Sequence, residues 1–200
     1  MFLSFFDHYF YKSLTNTNDK AKNINLSTKR NVAVYTNFQK KGRGRKQRKW
    51  ESLDGDLSCS FLINNSLNVK DLGRINLLIV NSVVNILGYI GIKNIKYKWP
   101  NDIFIQNKKL AGILIETTIS RKTINEFIIG IGINCVPKQI KGIKQIISLS
   151  ELDCRVDALK VFLLLSFNIQ LFMNTLNHID YESISENLTK IFFSKRKILT

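Results

Sequence analysis

The chain has 200 residues, 44% of them hydrophobic and 22% charged, with 30 Lys and Arg against 15 Asp and Glu. That length supports one domain with a sizeable core, not two domains and a linker, and the balance is that of a folded chain, not a disordered one. The net charge of +15 invites an anionic partner without choosing among nucleic acid, an acidic surface and a phosphate-bearing small molecule.

Three cysteines, Cys59, Cys135 and Cys154, form no CxxC pair, and His8 and His178 lie far apart. This pattern argues against a disulfide framework or an ordinary His/Cys zinc site and fits a reducing cytoplasm. The N-terminal "MFLSFFDHYF" has no basic flank and is interrupted by Asp7 and His8, so it reads as a core-packing strand and not a signal peptide.

Next comes "KKGRGRKQRKW", Lys40 to Trp50, with seven basic residues and two glycines in eleven positions, and no acid anywhere from Lys29 to Trp50. Gly42 and Gly44 let the backbone approach a ligand, and Arg43, Arg45 and Arg48 can each offer two parallel donors to a phosphate. A solvated surface loop has the same composition. A nucleic-acid patch would stack bases on several rings, whereas Trp50 is the only one here.

Apolar residues at 75, 78, 79, 83, 86, 87 and 90 predict a helix with one buried face, stopped by "LGYIG" with Gly88 and Gly91. Ile95, Tyr97 and Trp99 alternate with lysines as a half-buried strand that Pro100 ends. Asp102 is the only acid from Leu72 to Ile115, with Lys98, Lys108 and Lys109 close by in sequence, which makes it an ion-pair staple or a site group. The run "IFIQNKKLAGILIETT" predicts two strands joined by a turn at Asn107-Lys108, and "EFIIGIGINC" a third. Glycines at 130 and 132 in that strand mark a bulge or a close approach by another group.

Apolar residues at 158, 161, 162, 165, 169, 172, 173 and 176 predict a second long helix, and Tyr181, Ile184, Leu188 and Ile191 a shorter third. The apolar run from Val161 to Met173 is interrupted by polar residues and falls short of the ~20 needed to cross a bilayer, so no membrane helix is expected. The order of elements predicts an α+β fold: a mixed, largely antiparallel sheet with helices mainly on one face.

"GRGRKQRKW", "KWPND" followed by "KKLAGILIET", and "GIGIN" stand in the order and spacing of the biotin protein ligases, and the chain from about Phe10 to about Lys197 resembles their catalytic domain. The resemblance implies a biotin/lipoate ligase fold, like that of class II aminoacyl-tRNA synthetases. It implies a single catalytic domain over residues 1–200, lacking the N-terminal helix-turn-helix and the C-terminal SH3-like barrel of larger members. "TNTNDKAK" is similar to the family's DSTNxxA segment, with Asn16 in place of serine. By resemblance, Asn16, Thr17, Asn18, Gln39, Gly42, Arg43, Gly44, Arg45, Arg48, Trp50, Lys109, Gly112 and Asn134 contact biotin, ATP or the adenylate, and "ISLSE" from Ile147 lies near the nucleotide.

The implied reaction joins biotin to ATP with Mg2+, giving biotinyl-5'-AMP, and then passes the acyl group to a lysine of the biotin carboxyl carrier protein of acetyl-CoA carboxylase. Lys109, Asp102 and Arg45 are the implied catalytic residues, with Asp102 orienting the incoming lysine. The resemblance allows a monomer or a homodimer in the cytoplasm and implies neither nucleic acid nor membrane as partner. A lipoate ligase-like acyltransferase and a nucleic-acid module remain the alternatives. Three positions depart from the family pattern: Lys41 replaces alanine, Gln47 glycine, and Glu51 an apolar residue.

Overall fold

A computed structural model of the chain describes residues 5–138, 145–175 and 181–192. The elements run β1 (Asp7–Tyr11), α1 (Thr17–Thr28), β2 (Val32–Thr36), β3 (Gly42–Arg43), β4 (Lys49–Trp50), β5 (Leu57–Asn68) and α2 (Leu72–Tyr89). Then follow β6 (Lys96–Lys98), β7 (Asp102–Ile105), β8 (Lys108–Ser120), β9 (Thr123–Ile133), α3 (Ala158–Thr175) and α4 (Tyr181–Lys190). Seven strands form one sheet in the order β1-β2-β5-β9-β8-β7-β6. Only β1 and β2 run parallel, so the expected mixed, largely antiparallel sheet is what forms.

The period of two sorts the strands onto two faces. One face presents Cys59, Phe61 and Ile63 of β5, Phe127, Ile129 and Ile131 of β9 and Ile113 of β8 to Ile75, Ile79 and Val83 of α2 and Phe162, Leu165 and Ile169 of α3. Phe162 stacks on Phe61 with ring centroids 5.6 Å apart, locking α3 to the middle of the sheet. Among the described residues the one helix on the other face is α1, whose Ala21 packs on Val32, Val34, Leu62 and Ile128. Its inward residues Thr17, Asn18 and Asn25 are polar, so no apolar period marks this helix in the sequence.

The hairpin between β7 and β8 turns at Gln106-Asn107, one residue earlier than the sequence predicts. Both residues have positive φ, 50° and 61°, as a two-residue hairpin turn requires. The basic segment is not a bare loop: Gly42 pairs with Trp50 and Arg43 with Lys49, with a 3-10 turn between them. The predicted second helix extends to Thr175, and residue 176 lies outside the described residues. One helical stretch, Val69–Tyr89, is long and apolar enough by composition to cross a membrane, but Ile75, Ile79, Val83 and Leu87 bury it in the core.

Candidate active site

A cleft opens on the α1 face of the sheet, and its floor is made of small residues in register. Ser60 of β5 stands beside Gly130 of β9, and Ser58 beside Gly132, which in turn pairs with Gly112 of β8. The pairing through Gly130 and Gly132 is continuous, so these glycines serve close approach and not a bulge. A Cβ at Gly130 would lie 2.6 Å from Asn18 Oδ1, and one at Gly132 would overlap the Trp50 indole.

The start of α1 and the segment before β3 build the closed end. Asn16 caps α1 by accepting from the Asp19 N–H at 3.2 Å, and its Nδ2 donates to the Lys41 carbonyl at 3.0 Å. Serine and asparagine are both good N-caps, which explains how asparagine can stand where the family pattern has serine. Gln39 Oε1 accepts from the Thr17 N–H at 2.7 Å and from the Thr17 hydroxyl at 3.0 Å, while the Ser60 hydroxyl lies within bonding distance of Thr17 Oγ1 and Asn18 Oδ1. Asn16, Thr17, Asn18 and Gln39 are all buried and line the cleft.

Arg43 does not present a free cation to this cleft. Its Nε and Nη2 donate to the two oxygens of Glu116 at 3.1 and 2.9 Å, and its Nη1 donates to Asp19 at 2.8 Å. The Glu116 bond, seconded by Asp19, raises the guanidinium further above its ordinary value, against the opposing effect of burial. The reading of Arg43 as a phosphate cation therefore gives way to one as the anchor of the basic loop. Arg45 and Arg48 have no carboxylate within ion-pair distance among the described residues. Arg45 lines a second groove beside the cleft, with Trp99, Pro100 and Asn101.

The departures from the family pattern acquire local meanings. The Lys41 backbone does the tethering, with its N–H donating to Thr15 O at 2.8 Å, so its exposed side chain is incidental. Gln47 adopts φ 58°, left-handed backbone in which glycine is unstrained. Glu51 pairs with Lys49 at 2.6 Å.

At the open end, Lys109 Nζ lies 2.6 Å from Asp102 Oδ1, in an ion pair without the angle of a well-directed hydrogen bond. Both side chains are partly exposed, and Lys109 lines the cleft while Asp102 stands behind it as its ion-pair partner. A bulge between β7 and β8 puts Lys109 beside Asp102, although six residues separate them along the chain. The Lys109 backbone is clamped: its N–H donates to Gln145 O at 2.7 Å, and its carbonyl accepts from the Ile147 N–H at 3.1 Å and from Asn134 Nδ2 at 3.0 Å. Asn134, 3% exposed, thus holds the peptide of Lys109 and also donates to Ile147 O at 3.3 Å. In "ISLSE", Ser148 donates to Glu151 at 2.6 Å and Leu149 N–H to Asn134 O at 2.9 Å, so that segment braces the same corner.

Trp50 closes the middle of the cleft. Its indole lies against Gly112 and Gly132, with Lys109 Nζ 5.3 Å from the ring centroid and Lys138 Nζ 5.8 Å from it. Lys138 is buried in an ion pair with Asp56, which also accepts from the Leu53, Cys135 and Val136 N–H groups. Cys59 borders the cleft, but burial pushes its thiol well above the ordinary range; burial also pushes Cys135 up to about 12, so neither is a nucleophile at neutral pH.

Sequence reading missed Asp19, Ser60, Glu116, Asp56 and Lys138. Glu116 alone had a legible signal, since alternation along "GILIE" puts it on the same face as Gly112 and Leu114. The others depend on contacts between segments distant in sequence.

A model of the biotin/lipoate A/B protein ligase family matches residues 9–134. The bifunctional ligase/repressor BirA of Escherichia coli is 35% identical over 112 residues, 54% of this chain and 34% of the relative. The biotin--protein ligase 1 of Arabidopsis thaliana is 34% identical over 109 residues, 50% of this chain and 28% of the relative. The chain thus spans about a third of the length of these curated relatives. Among solved structures, the biotin protein ligase of Aquifex aeolicus in complex with biotin and ATP superposes with a TM-score of 0.76 at 30% identity, covering 94% of this chain and 78% of that one. The Leishmania major enzyme with biotinyl-5-AMP, at 21% identity and a TM-score of 0.73, shares the fold.

Proposed function

Since the chain belongs to the biotin/lipoate A/B protein ligase family, we propose that it is an ATP-dependent biotin protein ligase whose chemistry runs along this cleft from the Thr17–Gln39 end to the Lys109–Asp102 end. The observation that carries the reading is the Lys109–Asp102 pair at the mouth of a glycine-floored slot whose far end is lined by amide and hydroxyl groups. A flat bicyclic urea with a carboxylate tail matches that layout: polar atoms deep, an apolar middle, an anion at the mouth. The biotin and ATP in the Aquifex structure support the same substrates.

In the first step a biotin carboxylate oxygen bonds to the α-phosphorus of ATP, and the bond to the bridging oxygen breaks to release pyrophosphate. Negative charge grows on phosphate oxygens, so fixed cations aimed at the mouth carry the catalysis. Lys109, with its backbone clamped at three points, supplies one, and Arg45 and Arg48, unpaired among the described residues, supply the charge that Arg43 cannot. In the second step the amine of a carrier lysine attacks the acyl carbon and AMP leaves with the phosphate oxygen of the broken bond. Asp102, released as Lys109 turns to the anion, orients the incoming lysine as its ammonium, which gives a proton to solvent before the amine attacks. No group of three His, Cys, Asp or Glu side chains among the described residues could hold a metal by itself, and magnesium would enter on the ATP phosphates. The acceptor is proposed to be the biotin carboxyl carrier protein of acetyl-CoA carboxylase.

The test is biotin-dependent pyrophosphate release from ATP, followed by transfer to a purified carrier domain. Lys109→Ala is expected to lower adenylate formation about a hundredfold or more, the scale of losing one preorganised charge. Wild-type rates in that variant would refute the role given to Lys109. Pyrophosphate release that ignores biotin would refute the function.

A further inference from the structure

Glu116 stands near the end of "KKLAGILIET", where the resemblance gives it no role, yet it joins two parts of the cleft. From the middle of β8 its Oε2 accepts from Asn18 Nδ2 at 2.7 Å, and both its oxygens accept from Arg43. An ionised carboxylate can only accept, so it dictates which end of the Asn18 amide faces it. With Nδ2 turned out to Glu116, Asn18 Oδ1 must turn in, toward Gly130 and the Ser60 hydroxyl at the closed end of the cleft. Asn18 is 4% exposed, so no bulk solvent competes for either end.

We propose that Glu116 is a positioning residue for ligand recognition: it fixes the Asn18 amide with its oxygen facing the cleft, as an acceptor for a ligand N–H, and it moors the basic loop through Arg43. The inference rests on the function proposed above, since the cyclic urea of biotin carries the N–H donors such an acceptor would take. Without the carboxylate, only the Ser60 hydroxyl holds the amide, and because that hydroxyl can donate to Thr17 and accept instead, the amide can rotate by 180° and turn a donor toward the ligand's donor. The same loss would leave Arg43 with Asp19 alone, so that the short pairing of β3 with β4 would be moored only by that pair and by the Lys41 backbone before it.

The experiment measures biotin binding by calorimetry in the absence of ATP for the wild type, Glu116→Ala, Asn18→Asp and the double variant Asn18→Asp with Glu116→Gln. Glu116→Ala is expected to weaken biotin binding ~10- to 100-fold, the range for losing a charge-assisted contact and inverting an amide. Asn18→Asp alone sets two carboxylates against each other across the former 2.7 Å bond and should bind worse still. The double variant keeps an oxygen facing the cleft and restores an N–H···O bond outward, now donated by the amide introduced on β8 to the carboxylate introduced on α1, so binding should recover at least tenfold over Asn18→Asp. A merely structural Glu116 would not give that recovery in the reversed pair. Binding within twofold of wild type in folded Glu116→Ala, or no recovery in the double variant, overturns the proposal while leaving the ligase reading intact. A wild type that binds no biotin overturns both.

Discussion

Trp50 lies flat on Gly132 and Gly112, and its indole N–H is buried with no acceptor. A buried donor left unpaired costs about 1–3 kcal/mol, so this packing is a resting arrangement that a better partner can displace. The open space remaining in the cleft is about 50 Å3, room for a few waters at ~10–15 Å3 each but well short of the ~300 Å3 or more of an ordinary ligand pocket. Room must come from the least anchored wall, and Trp50 sits on a two-residue strand while the other walls are long strands and a capped helix. The chain has two tryptophans, so Trp99→Phe isolates the emission of Trp50. That emission is expected to be blue-shifted in the free protein and to change in both wavelength and intensity as biotin saturates the site. Unaltered emission in protein shown by calorimetry to be saturated would mean that the indole stays where it is.

The elements whose inward residues are apolar were legible because period and packing agree: α2, α3, α4, β6 to β9 and the sheet class follow from spacing alone. α1 was not, because its buried face is polar and its stability comes from the Asn16 cap and from bonds to Gln39 and Ser60. The same gap hid Asp56 and Lys138, which join the entrance of β5 to the exit of β9, 82 residues apart. Their side chains are 1% and 2% exposed, and Asp56 also holds three backbone N–H groups. Removing one partner of such a pair leaves a buried charge uncompensated, at a cost of about 3–5 kcal/mol. Asp56→Ala should therefore lower the urea midpoint strongly, and adding Lys138→Met should regain part of the loss. A single variant that unfolds at the wild-type midpoint would show that the pair is better solvated than its burial implies. The site shows the same division: Lys109 and Trp50, legible from motifs, line the cleft with Asp102 paired to Lys109, while the pairing of Arg43 with Glu116 needed the fold.

Across the whole molecule a net charge of +15 repels itself, and acidification adds to it as carboxylates take up protons. Glu116 is the carboxylate where this bears on the site. Burial alone would push it up, but the bonds from Arg43 and Asn18, with Arg43 and Lys22 as nearby charges, outweigh burial and hold it below its ordinary value. Asp19, also on Arg43, faces the same cluster, with Glu126 across the groove. A depressed folded-state value means that the unfolded chain binds the proton first as pH falls. The stability Glu116 contributes is therefore present above the ordinary carboxylate range and is lost as pH falls through its folded value. Its side chain is 36% exposed, so solvent reduces the size of the effect without changing its sign. The thermal midpoint of the wild type should exceed that of Glu116→Gln at neutral pH, and the two should converge on acidification. Added salt should raise both midpoints at acid pH by screening the general repulsion, and it should narrow the neutral-pH gap only slightly, because the bidentate pair is half-buried. A gap between the two proteins that holds constant from neutral to acid pH would show that Glu116 acts through packing and not through its charge.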